Sequence, residues 1–242
     1  MWGASWEADE QWAAGGQKRG LASSAPPAKR YAPASSWGGG GGGWGAAQWQ
    51  GGISAQDKAD IKQWQDATRV GANVPGTPIV PCKTPFEGSL ANRAHESGLI
   101  LDEDWFGKDD LVQLCKEQGT PIGLVIDLVN TQKYYAGYIE EVDGIEYQKI
   151  RIPGRSVPER SMVEGVFDII DDFVARRPGE FVAIHCTHGI NRTGFLVAAY
   201  LMMRADVPKC RKAVAVFEKA RGIKMDKLYL MEALLDLEEG KY

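Results

Sequence analysis

The chain is poor in cysteine, with four in 242 residues, at positions 82, 115, 186 and 210. They lie far apart with no CxxC spacing, which argues against a zinc site or a disulfide framework and for a reducing compartment. No stretch approaches 18 consecutive apolar residues, so a membrane-spanning helix is not expected. The first residues, Met1-Trp2-Gly3-Ala4-Ser5-Trp6-Glu7, lack the basic start and apolar run of a secretory signal. Excess charge is lacking too: the net charge is −4, with 44% apolar and 25% charged residues, an ordinary globular balance that excludes a wholly basic nucleic-acid binder.

Branched aliphatics are missing from one segment. Residues 1–52 contain no Val or Ile and only Leu21, yet hold 13 of 29 glycines and six of eight tryptophans, including Trp37 and Trp44 around six consecutive glycines. Such a composition buries too little apolar surface to offset the entropy of ordering. It is expected to be a disordered tail: either a plain solubilising extension or an interaction arm whose Trp rings stack on bases or partners. Lys18-Arg19 and Lys29-Arg30 are weak candidates for nuclear import signals.

Residues 53–242 suffice for one sizeable core. Ser54–Ala67 is expected to be helical with Ile61 and Trp64 on one side, followed by an extended Pro-rich stretch, Val74–Pro85. A short helix, Asp109–Gln118, stops at Gly119 and Pro121. Ile122–Leu128 is a near-continuous apolar run suited to a strand covered on both faces. Ile145–Ile152 alternates as a strand, Glu159–Ala175 has helical spacing, and Phe181–Ile184 is another buried strand. Thr193–Met203 is apolar on nearly every side, as an enclosed helix would be. Asp206 is expected to cap a helix with Pro208 in its first turn, running to Ala220; Met225–Leu237 makes the last helix. This alternation predicts an α/β domain with a central, mostly parallel sheet flanked by helices.

The segment Ala183-Ile184-His185-Cys186-Thr187-His188-Gly189-Ile190-Asn191-Arg192-Thr193-Gly194 joins a buried strand to the enclosed helix. Loops at the carboxyl ends of parallel strands bind ligands in open α/β sheets. Here the amides of Thr187, His188, Gly189, Ile190 and Asn191, with the helix N-terminus, would favour an anion. Positive potential there would lower the Cys186 thiol pKa from about 8.5 towards about 4–7, making it a thiolate at neutral pH. Arg192 has the planar fork for two phosphate oxygens, Thr193 can donate its hydroxyl to the sulfur, and His185 is placed to fix the loop through its ring nitrogens.

His-Cys-x5-Arg-[Ser/Thr] is the pattern of the cysteine-dependent phosphatases. That resemblance implies attack of the Cys186 thiolate on phosphorus, a phosphocysteine intermediate and hydrolysis by water, with no metal or cofactor. The run His185–Leu196, the segments Gly123–Tyr135, Pro75–Pro78 and Lys83–Phe86, and Ala213–Phe217 with Ala220-Arg221-Gly222 resemble the RNA 5′-triphosphatase branch over roughly residues 64–238. This branch includes the triphosphatase domain of animal mRNA capping enzymes and stand-alone phosphatases that interact with RNA–protein complexes. It implies 5′-triphosphorylated RNA as partner and substrate, RNA-processing or ribonucleoprotein components as further partners, and nuclear localisation, with the cytoplasm open as well. No Lys-x-Asp-Gly occurs, so the nucleotidyl-transferring half of a capping enzyme is not expected in this chain.

Three further features bear on the substrate. No lysine lies between Cys186 and Arg192, which disfavours highly charged inositol phosphates. Lys133, Arg151, Arg155 and Arg160 are candidates for a basic rim, or else solvated surface charges; Tyr134 and Tyr135 are candidates to line the mouth, with core packing the rival for one. Protein phosphatases of this superfamily place a general-acid Asp on the loop before the helix. The corresponding loop, residues 152–160, has no Asp, and Glu159 stands in the matching place, as acid or merely as a helix start. Asp127, ending a strand, is expected to anchor loops; Cys115 is expected in the core, Cys82 and Cys210 as incidental thiols, and His95 on the surface without a partner. Two alternatives remain: a dual-specificity protein phosphatase, and an RNA-binding adaptor acting through the Gly/Trp tail.

Overall fold

The computed structural model describes residues 52–135 and 144–242. The tail expected over 1–52 therefore lies, except for Gly52, outside the described residues. The described elements run α1 (Ala55–Asp66), β1 (Ile79–Cys82), α2 (Ser89–Glu96), a 3₁₀ turn (Asp102–Asp104), α3 (Lys108–Glu117), β2 (Ile122–Asp127), β3 (Glu146–Lys149), α4 (Arg160–Arg176), β4 (Phe181–His185), α5 (Asn191–Arg204), α6 (Cys210–Arg221) and α7 (Leu228–Glu238).

The four described strands form one parallel sheet in the order β1-β4-β2-β3. Every residue of β2 is buried, because alternate side chains serve two cores. Leu124 and Ile126 join Val182 and Ile184 of β4 against α4, α5, α6 and α7, with Phe167, Phe173, Phe195 and Phe217 as the largest fillers. Val125 and Ala183 point the other way, to Ile61 and Trp64 of α1, Ala91 and Ala94 of α2, and Leu111 and Cys115 of α3. A strand wrapped on both faces reads as a continuous apolar run, and this is why.

Helix ends follow local chemistry. The Ser54 hydroxyl accepts the Asp57 amide at 3.0 Å and caps α1. Pro81 is tolerated in β1 because β1 lies at the end of the described sheet, where its missing N–H leaves no ladder bond unmade. The segment before β1 folds over that edge: the Gly71 amide donates to the Pro81 carbonyl and Val70 bridges Cys82. α2 was not anticipated from the sequence. The expected cap at Asp206 is also corrected: Asp206 lies in the left-handed region (φ 52°), and α6 starts only after Lys209, beyond Pro208. Pro208 disfavours helical geometry in the residue before it, which delays the helix.

α5 is buried continuously from Thr193 to Leu201 and runs through the middle of the larger core. Its position depends on Gly194, where a Cβ would lie 2.5 Å from Phe217 Cε1 and 2.7 Å from Met225 Sδ. Gly194→Ala is therefore expected to cost about 1–3 kcal/mol by overpacking. A lowered urea midpoint with an unchanged slope would show it; an unchanged midpoint would mean that α5 and α6 have room to separate.

Candidate active site

The loop between β4 and α5 has its peptide groups sorted by direction. Each carbonyl from His185 to Ile190 meets a donor. The His185 carbonyl accepts from the Leu128 amide (2.8 Å), Cys186 from His185 Nδ1 (3.3 Å), Thr187 from the Thr84 amide (3.1 Å) and Ile190 from the Gly194 amide (2.8 Å). The carbonyls of His188 and Gly189 accept from the Arg221 guanidinium at 3.0 and 2.9 Å. Among the described residues, by contrast, no oxygen accepts the amides of Thr187 to Thr193. Buried amides without an acceptor are costly unless an anion uses them. At this loop the amides of Ile190 and Thr193 serve the Cys186 sulfur.

Gly189 makes the turn with φ +65°, and any Cβ there would collide with the Cys82 carbonyl of β1. Arg221 fixes the outward side of the loop. It is fully buried, reaches the Thr68 carbonyl as well (2.6 Å), and keeps Nη1 without an acceptor. Sequence reading gave it no role, yet a signal was present: Arg221 follows Ala213 and Phe217 at helical spacing, a charge on an otherwise apolar face.

Burial pushes the Cys186 thiol up. The Arg192 charge, the Thr193 hydroxyl and the two amides pull it down and win, so the thiol lies below its ordinary value. The Thr193 hydroxyl is buried with no other hydrogen-bond partner, which leaves it to the sulfur. Arg192 folds back over the loop: Nη1 donates to the carbonyls of Ile152 (2.9 Å) and Leu128 (3.2 Å), Nη2 to Thr187 Oγ1 (3.3 Å). Of its five N–H donors, Nε–H and one hydrogen of Nη2 remain for a ligand.

Behind the sulfur lies a fully hydrogen-bonded support. His185 is buried, which pushes its pKa down and keeps it neutral. Since the Cys186 carbonyl can only accept, the ring hydrogen is on Nδ1, and Nε2 accepts from the Tyr135 hydroxyl at 2.7 Å. Asp127 accepts from the Val129 amide (2.8 Å), Tyr147 (2.8 Å) and Lys149 (2.7 Å), holding the ends of β2 and β3 together.

The other expected site residues are placed as follows. Asn191 turns its side chain to Asp226 and the Lys227 amide at the start of α7, so only its backbone faces the loop. The His188 ring reaches the Asp60 carbonyl of α1 (3.3 Å) rather than the cradle. Lys133 is held by Asp57 (2.7 Å) and Asp60 (3.3 Å). Arg151 donates to the Asn130 carbonyl, and Arg160 pairs with Glu164 and the Tyr242 carbonyl. Arg155 is exposed at φ +63° with no partner among the described residues. Glu159 is the exposed residue preceding α4 and makes no capping bond through its side chain. Tyr134 and Tyr135 are both buried, so neither offers a face for stacking, a correction to their expected place at the mouth. Cys82 and Cys210 are core residues like Cys115, and His95 has a partner, Asp102, at 2.7 Å.

A family model described as "Dual specificity phosphatase, catalytic domain" matches residues 105–240. The chain belongs to the dual-specificity phosphatase family. It is 34% identical over 173 residues to a "Tyrosine-protein phosphatase" of Autographa californica nuclear polyhedrosis virus, covering 72% of this chain and 97% of that protein. It is also 34% identical over 182 residues to the "RNA/RNP complex-1-interacting phosphatase homolog" of Caenorhabditis elegans, with 74% and 76% covered. Among solved structures, the phosphatase is similar in fold to Tk-PTP in its active form, with a TM-score of 0.52, 20% identity, and 70% and 96% covered. The phosphatase's fold and the branch suggested by its loop both stand on these likenesses.

The depressed thiol gives a direct expectation. Alkylation of Cys186 by iodoacetamide should slow as pH falls through the lowered pKa, at a lower pH than for an unperturbed thiol. Thr193→Ala should shift that limb upward by about one unit, the worth of one hydrogen bond to a charged group. An unmoved limb would mean the hydroxyl does not serve the sulfur.

Proposed function

We propose that this phosphatase removes the γ-phosphate from 5′-triphosphorylated RNA, and the β-phosphate of the resulting diphosphate end, through a phosphocysteine intermediate. The Cys186 thiolate attacks the γ-phosphorus while the Arg192 edge and loop amides hold its non-bridging oxygens. The bond from phosphorus to the bridging oxygen breaks, and diphosphate-ended RNA leaves. Water then attacks phosphorus, the sulfur departs as a thiolate stabilised by Thr193, and orthophosphate is released. Glu159 is our candidate for moving the proton of that water.

The observation that carries this reading is the loop after β3. Its one carboxylate, Glu159, stands exposed at the start of α4, while Arg155 is exposed and without a partner among the described residues. A phosphotyrosine leaves as a phenol of pKa about 10 and needs a proton. A γ-phosphate leaves from a β-phosphate group of pKa about 6 and hardly needs one at pH 7. A loop that carries Arg155 and a single exposed carboxylate suits the second leaving group. The relative in Caenorhabditis elegans, named for interaction with an RNA/RNP complex, supports the same class. A protein-phosphatase reading is favoured by the name of the baculovirus relative, "Tyrosine-protein phosphatase".

Phosphate release in EDTA from triphosphate RNA, diphosphate RNA and a phosphotyrosine peptide decides between them. The RNA ends should be turned over much faster; preference for the peptide would overturn the proposal. Cys186→Ser should abolish release. Arg192→Lys should lose at least about 100-fold, since a point charge cannot replace a two-pronged donor at the transition state.

Arg155 gives a separate test, because its backbone conformation suits glycine. Arg155→Gly should raise folding stability by about 0.5–1 kcal/mol by relieving left-handed strain. It should also raise KM for triphosphate RNA more than for an aryl phosphate. A more stable enzyme with unchanged KM for RNA would remove Arg155 from the substrate's path.

A further inference from the structure

Helix α1 is built against the mouth of the pocket, and it brings acid where a phosphate-binding rim would want base. Lys133 Nζ lies 2.7 Å from Asp57 Oδ1 and 3.3 Å from Asp60 Oδ2. Its ammonium sits 5.0 Å from the centre of the Tyr134 ring, and the Tyr134 hydroxyl reaches Asp60 at 3.5 Å. Tyr134 also hydrogen-bonds the Thr187 side chain, which in turn accepts from Arg192. The Asp60 carbonyl meanwhile accepts from the His188 ring. The clasp is thus two side chains away from the phosphate-binding guanidinium and touches the catalytic loop directly.

The helix is anchored independently of this clasp. Trp64 Nε1 donates to the Thr84 carbonyl (2.8 Å), and the Lys83 ammonium donates to the Trp64 carbonyl (3.0 Å) beneath it. Two carboxylates against one ammonium leave this clasp with a net charge of −1, with Lys58 and Lys62 exposed elsewhere on α1 and Arg93 adding only a weaker attraction to Asp57. The carbonyls of Leu128 and Ile152 that hold Arg192 lie on the segments just after β2 and β3, and the second of these segments carries Arg151 and Arg155.

We propose that Asp57 and Asp60 are specificity-determining residues. By tying up Lys133 they make the α1 wall repel phosphates beyond the first, so that a polyphosphate chain lies only on the Arg151–Arg155 side. A single phosphate in the cradle is indifferent to this wall. The second and third phosphates of a longer chain sense it, because unscreened charges within about 10 Å interact at ordinary ionic strength. The arrangement fixes the direction in which a polyphosphate end leaves the pocket. The idea rests on the polyphosphate reading of the site.

The test therefore uses no RNA. Hydrolysis of p-nitrophenyl phosphate is inhibited competitively with orthophosphate and with inorganic tripolyphosphate. Asp57→Asn and Asp60→Asn, each freeing part of the Lys133 charge, should tighten tripolyphosphate about three- to tenfold and orthophosphate less than twofold, the gain fading in 0.5 M salt. Lys133→Met, which strips the carboxylates of their cation, should act in the opposite direction. Circular dichroism melting confirms that each variant is folded, and the opposed signs keep the test valid if one is not. Unchanged tripolyphosphate inhibition, or an equal change for both anions, would overturn the proposal. Failure to turn over triphosphate RNA would instead overturn the proposed function and leave these inhibition constants readable.

Discussion

A single negative charge has to exist where the protein leaves it little contact with water. Cys186 is buried, and burial alone opposes its ionisation. The rest of the site follows from offsetting that penalty at close range. Arg192 supplies the charge, Thr193 a hydroxyl with no other partner, and Ile190 and Thr193 their amides. Hydrogen bonds to a charged group are worth about 1.5–3 kcal/mol each, so a few are enough to reverse a desolvation cost of several kcal/mol.

Holding amides inward is a problem of holding carbonyls outward. A peptide plane that offers its N–H to the sulfur must turn its C=O away, and each such oxygen needs a donor in the protein. The loop obtains these from β2, from the segment after β1, from its own helix, from its own histidine and from Arg221. Arg221 alone satisfies two of them and is rigidly placed by burial in α6. Its charge also lies close enough to be felt by both Cys82 and Cys186. Loop shape and the charge felt by the thiol are thus both served by one fully buried side chain.

Local signals were enough for much of this. The run from Ile122, the enclosed α5 and the spacing of Cys186, Arg192 and Thr193 could be read because each depends on neighbours within a few residues. What escaped depends on long-range partners. Lys133 reads as a free rim cation until α1, over seventy residues earlier, places Asp57 and Asp60 beside it. Tyr135 reads as a candidate for either the mouth or the core until it is found satisfying His185. Asn191 reads as a cradle residue until α7 claims its side chain. α2 has only eight residues and depends on packing of Leu90, Ala91 and Ala94, too few to stand out in sequence.

The register between β1 and β4 has a consequence for how the protein is made. Cys82 pairs with His185, and the carbonyl of Cys82 is the surface against which Gly189 turns. The Cys186 loop is therefore shaped by a strand synthesised about a hundred residues earlier and locked by an arginine synthesised some thirty residues later. Contacts so distant along the chain form late, after slower searches than local helices require. A ribosome-bound chain that has already emitted Cys186 still lacks the donor for the His188 and Gly189 carbonyls until α6 emerges. The loop that lowers the Cys186 thiol's pKa is therefore complete only once strand, loop and α6 have all come together.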